Sequence, residues 1–194
     1  MTASRAAGEV RLIGGLWRRS RLPVADRPGL RPTPDRVRET LFNWLGQDLS
    51  GWRVLDAFAG SGALGFEAAS RGAADVRLLE CDAQLVASLQ VSRTRLGAQR
   101  LQVERADAMA WMARAAPGSF DLILLDPPFD SALAQSALMH AARLVGPGGF
   151  VYLEAAQPLL ESQMEDSTLW PVGLTLHRSL KAGQVHVQLF RRMG

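Results

Sequence analysis

The sequence predicts an α/β fold built on a mainly parallel sheet, and three observations lead to that prediction. Strand-like and helix-like patterns alternate from Arg53 to Ala155, as they do in consecutive strand–helix–strand units. A glycine-rich turn joins the first of these strands to the first of these helices. Near the C-terminus, two apolar runs flank Lys181-Ala182-Gly183-Gln184 and predict a β-hairpin, so the sheet should end in antiparallel strands.

The remaining elements follow in order along the chain. A short hairpin is expected at 10–13 and 16–22, followed by a loop at 23–32. A helix then begins at Thr33-Pro34-Asp35, with Thr33 as the capping hydroxyl and Pro34 in the first helical position, and it ends near Gly46. Strands are expected at 53–58, 75–81, 101–105, 120–125 and 149–155, with helices at 64–70, 83–96, 109–115 and 133–144. The closing hairpin is expected at 174–180 and 185–190.

Composition narrows the class of protein. Of 194 residues, 47% are hydrophobic and 21% are charged, which is ordinary for a globular domain. Cys81 is the only cysteine, so the chain can form neither an internal disulfide nor a cysteine-based zinc site, and the three histidines show no metal-ligand spacing. No apolar run reaches the roughly 20 residues that span a bilayer, and no signal-peptide core is present. These features lead us to expect a cytoplasmic protein without metal or membrane, and a monomer.

Positive charge is concentrated at one end of the chain. Residues 1–40 hold nine arginines and four acidic residues, a net charge of +5, whereas the other 154 residues carry −2. Such a local excess favours a polyanionic partner at that end.

A glycine motif marks the first candidate site. Gly60, Gly62 and Gly65 satisfy G-x-G-x-x-G between a predicted strand and a predicted helix, where glycine allows a sharp turn and close approach of a ligand. Glu80 ends the next strand, where a carboxylate can accept hydrogen bonds from ribose hydroxyls. The motif therefore predicts a nucleoside cofactor, with a ligand-free tight turn as the alternative.

Acidic residues around the motif distinguish two cofactor classes. Nicotinamide cofactors place a pyrophosphate at the helix N-terminus. Asp56, just before the glycines, would be poorly placed there but can receive the cationic amine of S-adenosylmethionine (SAM). Asp107 can accept from an adenine amino group, with the Ala108 amide nearby. These acids favour SAM, although Asp107 taken alone could equally be a surface acid.

A second motif, Asp126-Pro127-Pro128-Phe129, follows the apolar run 120–125 directly. Ligands of open α/β sheets bind at the carboxyl ends of the strands. The prolines leave carbonyls free to accept, the carboxylate can accept from an exocyclic amine, and the ring of Phe129 can stack on a base. The motif therefore predicts the site of chemistry on a nucleobase, with a purely structural turn as the alternative.

Together the two motifs resemble those of amino-methyltransferases that modify nucleic-acid bases. Two further segments, Gly29 to Leu45 and Ile13 to Arg18, narrow the resemblance to the bacterial small-subunit ribosomal RNA methyltransferase D family, over about Val10 to Phe190. The resemblance implies a seven-stranded Rossmann-like fold and SAM-dependent methylation of the N2 amine of guanine 966 in 16S rRNA. It also implies the small ribosomal subunit as partner.

The resemblance and the residues together define the expected sites. Residues 1–32 are expected to form a basic RNA-contacting extension, and residues 33–194 a methyltransferase domain. The catalytic residues would be Asp126, Pro127, Pro128 and Phe129. The cofactor-binding residues would be Asp56, Phe58, Gly60, Ser61, Gly62, Glu80, Asp107, Ala108 and Thr33. The RNA-binding residues would be Arg11, Trp17, Arg18, Arg19, Arg21, Arg31 and Arg36.

Three other functions fit parts of the sequence. An amino-methyltransferase acting on adenine in DNA or RNA fits the motif at 126–129, which does not separate adenine from guanine. A nicotinamide-dependent oxidoreductase fits the glycines but is disfavoured by Asp56 and leaves that motif unexplained. A non-catalytic RNA-binding module fits the basic N-terminus but leaves the carboxylates unexplained.

Overall fold

The chain forms two compact units, residues 1–108 and 109–194. A computed structural model describes residues 8–25, 32–128, 131–159 and 170–194. In the first unit the elements are β1 (Gly8–Arg11), β2 (Arg21–Val24), α1 (Asp35–Trp44), β3 (Arg53–Asp56), α2 (Ala63–Ser70), β4 (Asp75–Glu80), α3 (Ala83–Leu96) and β5 (Leu101–Arg105). Helix α4 (Ala108–Arg114) begins at the boundary. The second unit continues with β6 (Phe120–Leu125), α5 (Ser131–Leu144), β7 (Val145–Ala155), β8 (Leu174–Ala182) and β9 (Val185–Arg192).

The structure confirms the predicted α/β class and its closing hairpin. Seven strands form one sheet in the order β5-β4-β3-β6-β7-β9-β8, and β1 and β2 form a separate antiparallel pair. Strands β3, β4 and β5 pair in parallel, as do β6 and β7, whereas β9 lies antiparallel between β7 and β8. Strand β6 is buried over nearly its whole length, as expected for a parallel strand covered on both faces.

The N-terminal helix starts differently from the prediction. Pro34 is the residue before the first helical turn, and no side-chain hydrogen bond caps α1, so the predicted roles of Thr33 as cap and Pro34 as first helical residue are wrong. Thr33 is instead buried, and its carbonyl oxygen accepts from Arg38 Nε at 3.0 Å. The side chain of Arg38, in the first turn of α1, therefore provides a hydrogen-bond donor for the backbone just before the helix.

Several boundaries also shift. The second strand of the N-terminal hairpin is shorter than predicted and begins at Arg21, because residues 16–19 form turns. Strand β7 begins at Val145, four residues before the prediction, and its pairing with β6 carries a register irregularity after Phe120. Within the described part of the chain, no helix is long and apolar enough to span a bilayer.

Candidate functional site

The glycine loop links β3 to α2 in the first unit. Gly60 and Gly62 have positive φ angles of 52° and 80°, and Gly62 caps the start of α2. A Cβ added to Gly62 would lie 2.6 Å from a methyl carbon of Leu89, and one added to Gly65 would lie 2.7 Å from a methyl carbon of Leu78. A larger residue at Gly62 would therefore strain the turn and crowd α3, and one at Gly65 would crowd β4.

Two carboxylates hold this loop from opposite ends. Asp56 is 2% exposed, and its Oδ2 accepts from the Gly65 amide at 2.9 Å. Glu80 Oε2 accepts from the Gly60 amide at 2.9 Å, and its Oε1 accepts from the Asp82 amide at 2.9 Å. Because a carboxylate offers about four acceptor positions, Glu80 keeps capacity for further donors while the backbone fixes its orientation.

The single cysteine adjoins this site. Cys81 is exposed, and its Sγ lies 3.5 Å from Glu80 Oε1. Partial burial, and secondarily the neighbouring carboxylate, raise the pKa of the Cys81 thiol. Because the thiolate is the nucleophilic form, a raised pKa lowers the fraction of Cys81 in that form at neutral pH.

The other predicted cofactor residues differ in their exposure to solvent. Phe58 and Ser61 in the glycine loop are partly exposed. Asp107 is exposed and immediately precedes Ala108, which is buried at the start of α4. The loop glycines, Asp56 and Glu80 are directly linked by hydrogen bonds, whereas the described contacts place Thr33 with Arg38 instead.

The second motif lies at the end of β6 in the other unit. Asp126 follows the last residue of the strand and is partly exposed, Pro127 is buried and Pro128 is exposed. The carboxylate thus comes at the carboxyl end of a parallel strand, where the sequence predicted it. Phe129 lies outside the described residues.

The N-terminal hairpin gathers the predicted RNA-binding arginines. Arg11 and Arg21 are directly opposite each other in β1 and β2. Each also has an acidic partner: Arg11 Nη2 lies 2.9 Å from Asp35 Oδ2, and Arg21 Nη1 lies 2.7 Å from Glu9 Oε2. The intervening turn carries Arg18 and Arg19, which are exposed, Trp17, which is half-buried, and Leu16, which is 82% exposed. Arg36 is exposed at the start of α1, and Arg31 lies outside the described residues.

Sequence reasoning missed a buried charge cluster beneath this turn. Glu67 in α2 is fully buried, and its carboxylate accepts from the Ile13 and Gly14 amides at 2.8 and 2.7 Å. Its oxygens also lie 3.4 Å from Arg38 Nη1 and 2.9 Å from Arg71 Nη2. Burial lowers the pKa of Arg38, and the carboxylates of Glu67 and Asp35 oppose that effect.

Ser70 completes the attachment of the turn to α2. Its hydroxyl donates to the Gly14 carbonyl at 2.6 Å and accepts from the Trp17 amide at 2.9 Å, while its carbonyl accepts from the Leu16 amide at 2.7 Å. A Cβ on Gly15 would lie 1.8 Å from the Ser70 carbonyl oxygen. Helix α2, which begins at the glycine loop, therefore also binds the main chain of the turn that carries Arg18 and Arg19.

Comparisons with known proteins agree with this arrangement. A family model described as conserved hypothetical protein 95 matches residues 10–191. The ribosomal RNA small subunit methyltransferase D of Escherichia coli K12 is 41% identical over 187 residues, covering 96% of this chain and 91% of that protein. The Haemophilus influenzae protein of the same name is 38% identical, covering 96% and 95%.

A solved structure shares the fold. An Escherichia coli protein described as a candidate methyltransferase superimposes with a TM-score of 0.81 and 38% identity, covering 96% of this chain and 99% of that one.

Proposed function

The chain belongs to the small-subunit ribosomal RNA methyltransferase D family, and we propose that it transfers a methyl group from SAM to the N2 amine of guanine 966 in 16S rRNA. The proposal that SAM is the cofactor rests on the glycine loop, whose backbone amides donate to the buried Asp56 and to Glu80. The names of the relatives support ribosomal RNA as the substrate. We further propose that the enzyme acts as a monomer on the small subunit in the cytoplasm.

The residues that would hold the cofactor fit its chemistry. SAM, when bound, supplies an electrophilic methyl group on a sulfonium. Asp56 offers a negative charge for its amine, Glu80 offers acceptors for ribose hydroxyls, and Asp107 with the Ala108 amide offers an acceptor and a donor for adenine. Phe58, Ser61 and Thr33 complete the proposed cofactor set. In this proposal no residue binds a pyrophosphate, whereas a nicotinamide-dependent oxidoreductase would need a site for one.

The proposed chemistry at 126–129 follows from the electronic structure of the base. The exocyclic amine of guanine is a poor nucleophile because its lone pair is conjugated into the ring. Hydrogen bonds from that amine to Asp126 and the Pro127 carbonyl favour a tetrahedral nitrogen and free the lone pair. Phe129 would stack on the base once it has left the RNA stack. Either Asp126 or water then takes the surplus proton, and positioning supplies most of the rate.

One experiment tests this function directly. Unmodified small ribosomal subunits are incubated with the protein and SAM labelled in the methyl group, and the modified nucleotide is mapped and identified by mass. Label on N2 of guanine 966 is the expected result. Label on an adenine would favour the alternative base specificity, and the absence of transfer with intact protein would reject the proposal.

Replacing Glu80 with alanine is expected to weaken SAM binding. The loss should be about 1–3 kcal/mol, the range for charge-assisted hydrogen bonds, because the variant removes both the ribose acceptor and the anchor of the Gly60 amide. Calorimetric titration with SAM measures the effect. Glu104→Ala is the matched control, since Glu104 lies in β5 and pairs with Arg77. An affinity of Glu80→Ala equal to that of the control would remove Glu80 from the site.

Neutralising the turn arginines should change how RNA binding depends on salt. Arg18→Gln combined with Arg19→Gln is the cleanest variant, because Arg11 and Arg21 already have acidic partners. The slope of log K against log salt should fall by roughly 0.7–0.9 for each phosphate that the variant no longer neutralises. Filter binding to rRNA over a salt series measures it, and SAM affinity should not change. An unaltered slope would show that the turn does not contact RNA.

A further inference from the structure

A second basic region lies at the other end of the chain. Residues 170–194 contain four cationic side chains, Arg178, Lys181, Arg191 and Arg192, and no acidic one. All four belong to the β8–β9 hairpin. Strand β8 is at the edge of the sheet, and every residue after its first is exposed or partly exposed. Among the described residues of β7, β8 and β9 the one acid is Glu154, opposite Val187, and it is buried and accepts from the Tyr152 hydroxyl at 2.8 Å.

This hairpin forms one wall of a groove. The groove has a volume of about 300 Å³, at the small end of the range for ligand pockets. Its polar lining consists of Ser179, Lys181, His186 and Gln188, and its apolar lining of Pro158, Leu176, Leu180 and Val187. Lys181 and His186 are directly opposite each other in the hairpin, so a cation and an imidazole meet at one point of the groove.

The framework of the groove is well anchored. The side-chain amide of Gln188 both accepts from the Leu159 amide at 2.7 Å and donates to the Leu159 carbonyl at 2.9 Å. Gln188 is 2% exposed, and this paired bond holds the chain after β7 beside β9. The groove therefore has a fixed wall on the side of Pro158.

The groove and Asp126 lie at the same end of the parallel strands in this unit. Leu125, the last residue of β6, is opposite Leu153 in β7, and Ala155 at the end of β7 is opposite His186. Strands in a sheet are about 4.8 Å apart, so β9 and β8 lie roughly 10 and 14 Å from β6 along the sheet. Nucleotides that flank a base held at Asp126 can reach this distance.

From these observations we propose that the β8–β9 groove binds the sugar–phosphate backbone of an RNA segment flanking the target nucleotide, with Lys181 and His186 donating to phosphate and the apolar wall contacting ribose. The inference rests on the proposed function. A cationic edge strand can also act only as protection against edge-to-edge pairing. Protection of the edge requires only charged side chains along β8. It does not require a groove in which Lys181 and His186 lie opposite each other.

The test compares salt-dependent binding of unmodified small subunits by variants and wild type. Lys181→Gln with His186→Gln should weaken binding several-fold and lower the salt slope by roughly 0.7–0.9, the value for one phosphate, at neutral pH. Ser179→Glu, which adds a negative charge to the groove, should weaken binding further. Arg114→Gln is the charge-matched control, since Arg114 is exposed on α4. Single-turnover transfer at saturating subunits should stay at the wild-type rate in all of them.

Each outcome decides a separate question. Wild-type protein that transfers no methyl group to subunits would reject the proposed function. Wild-type activity combined with groove variants that bind like Arg114→Gln would overturn the groove proposal alone. If the groove variants aggregate but bind RNA normally, the charges protect the sheet edge and the groove proposal is overturned. Weaker binding to subunits with unchanged binding to isolated 16S rRNA would indicate a protein partner and also overturn the proposal.

Discussion

Asp126→Ala is expected to slow methyl transfer by about 10²–10³-fold, the usual cost of losing one electrostatic partner of the reacting group. Asp126 follows the last residue of β6 and is partly exposed, and we propose that its carboxylate accepts from the target amine. The effect should fall on the chemical step, because the proposed cofactor residues belong to other segments of the chain. Single-turnover transfer with both substrates saturating measures it without interference from binding defects.

Asp126→Asn separates two roles of this carboxylate. An amide oxygen still accepts a hydrogen bond but does not take a proton at neutral pH. Substantial activity would therefore assign Asp126 to orienting the amine, and activity as low as in Asp126→Ala would assign it to charge or proton acceptance. Asp48→Ala, at an exposed site, controls for the loss of a carboxylate. A near-wild-type rate in Asp126→Ala would contradict the proposed mechanism.

Glu67→Gln is expected to lower the free energy of unfolding by about 3–5 kcal/mol, because it removes the buried carboxylate that Arg38 and Arg71 share. Arg38 and Glu67 side chains are fully buried, and the Arg71 side chain is 5% exposed. The neutral amide cannot balance two guanidinium groups, and its NH2 group, a donor, would face either the Ile13 or the Gly14 amide, which are donors too. Urea unfolding measures the loss as a lower midpoint at constant slope.

Glu104→Gln is the matched control for that substitution. Its ion pair with Arg77 spans 3.4 Å, but the two side chains are 43% and 30% exposed. Solvent screens such a pair, so the expected change is below about 1 kcal/mol. Equal losses in the two variants would show that the buried cluster contributes no more than a surface pair.

The local parts of this fold were predictable from the sequence because short-range rules determine them. The apolar run Phe120–Leu125 predicted a buried strand, and glycines between a strand and a helix predicted the turn at Gly60 and Gly62, where φ is positive. The closing hairpin followed from Gly183 between two strand-like runs. The placement of Asp56, Glu80 and Asp126 at the carboxyl ends of strands was therefore predictable, whereas their roles stay a prediction.

Long-range partners were not predictable from local patterns. In the sequence, Glu67 is an acidic residue on a predicted helix with no feature that sets it apart. Only the folded chain brings it to Arg38, 29 residues away, and to the Ile13 amide, 54 residues away. The same holds for Thr33, whose carbonyl accepts from Arg38, and for Arg95, which donates to the Arg21 carbonyl 74 residues away.

The sequence by itself determined the fold class, the order of the elements and the two motifs, because periodicity, turn residues and motif spacing act over a few residues. Tertiary structure alone decided which charges are buried together, which arginines of the N-terminal hairpin have acidic partners, and that Lys181 and His186 line one groove. The physical reason is that the energy of a charge depends on its burial and its partners. Both are properties of the packed chain that no local pattern encodes.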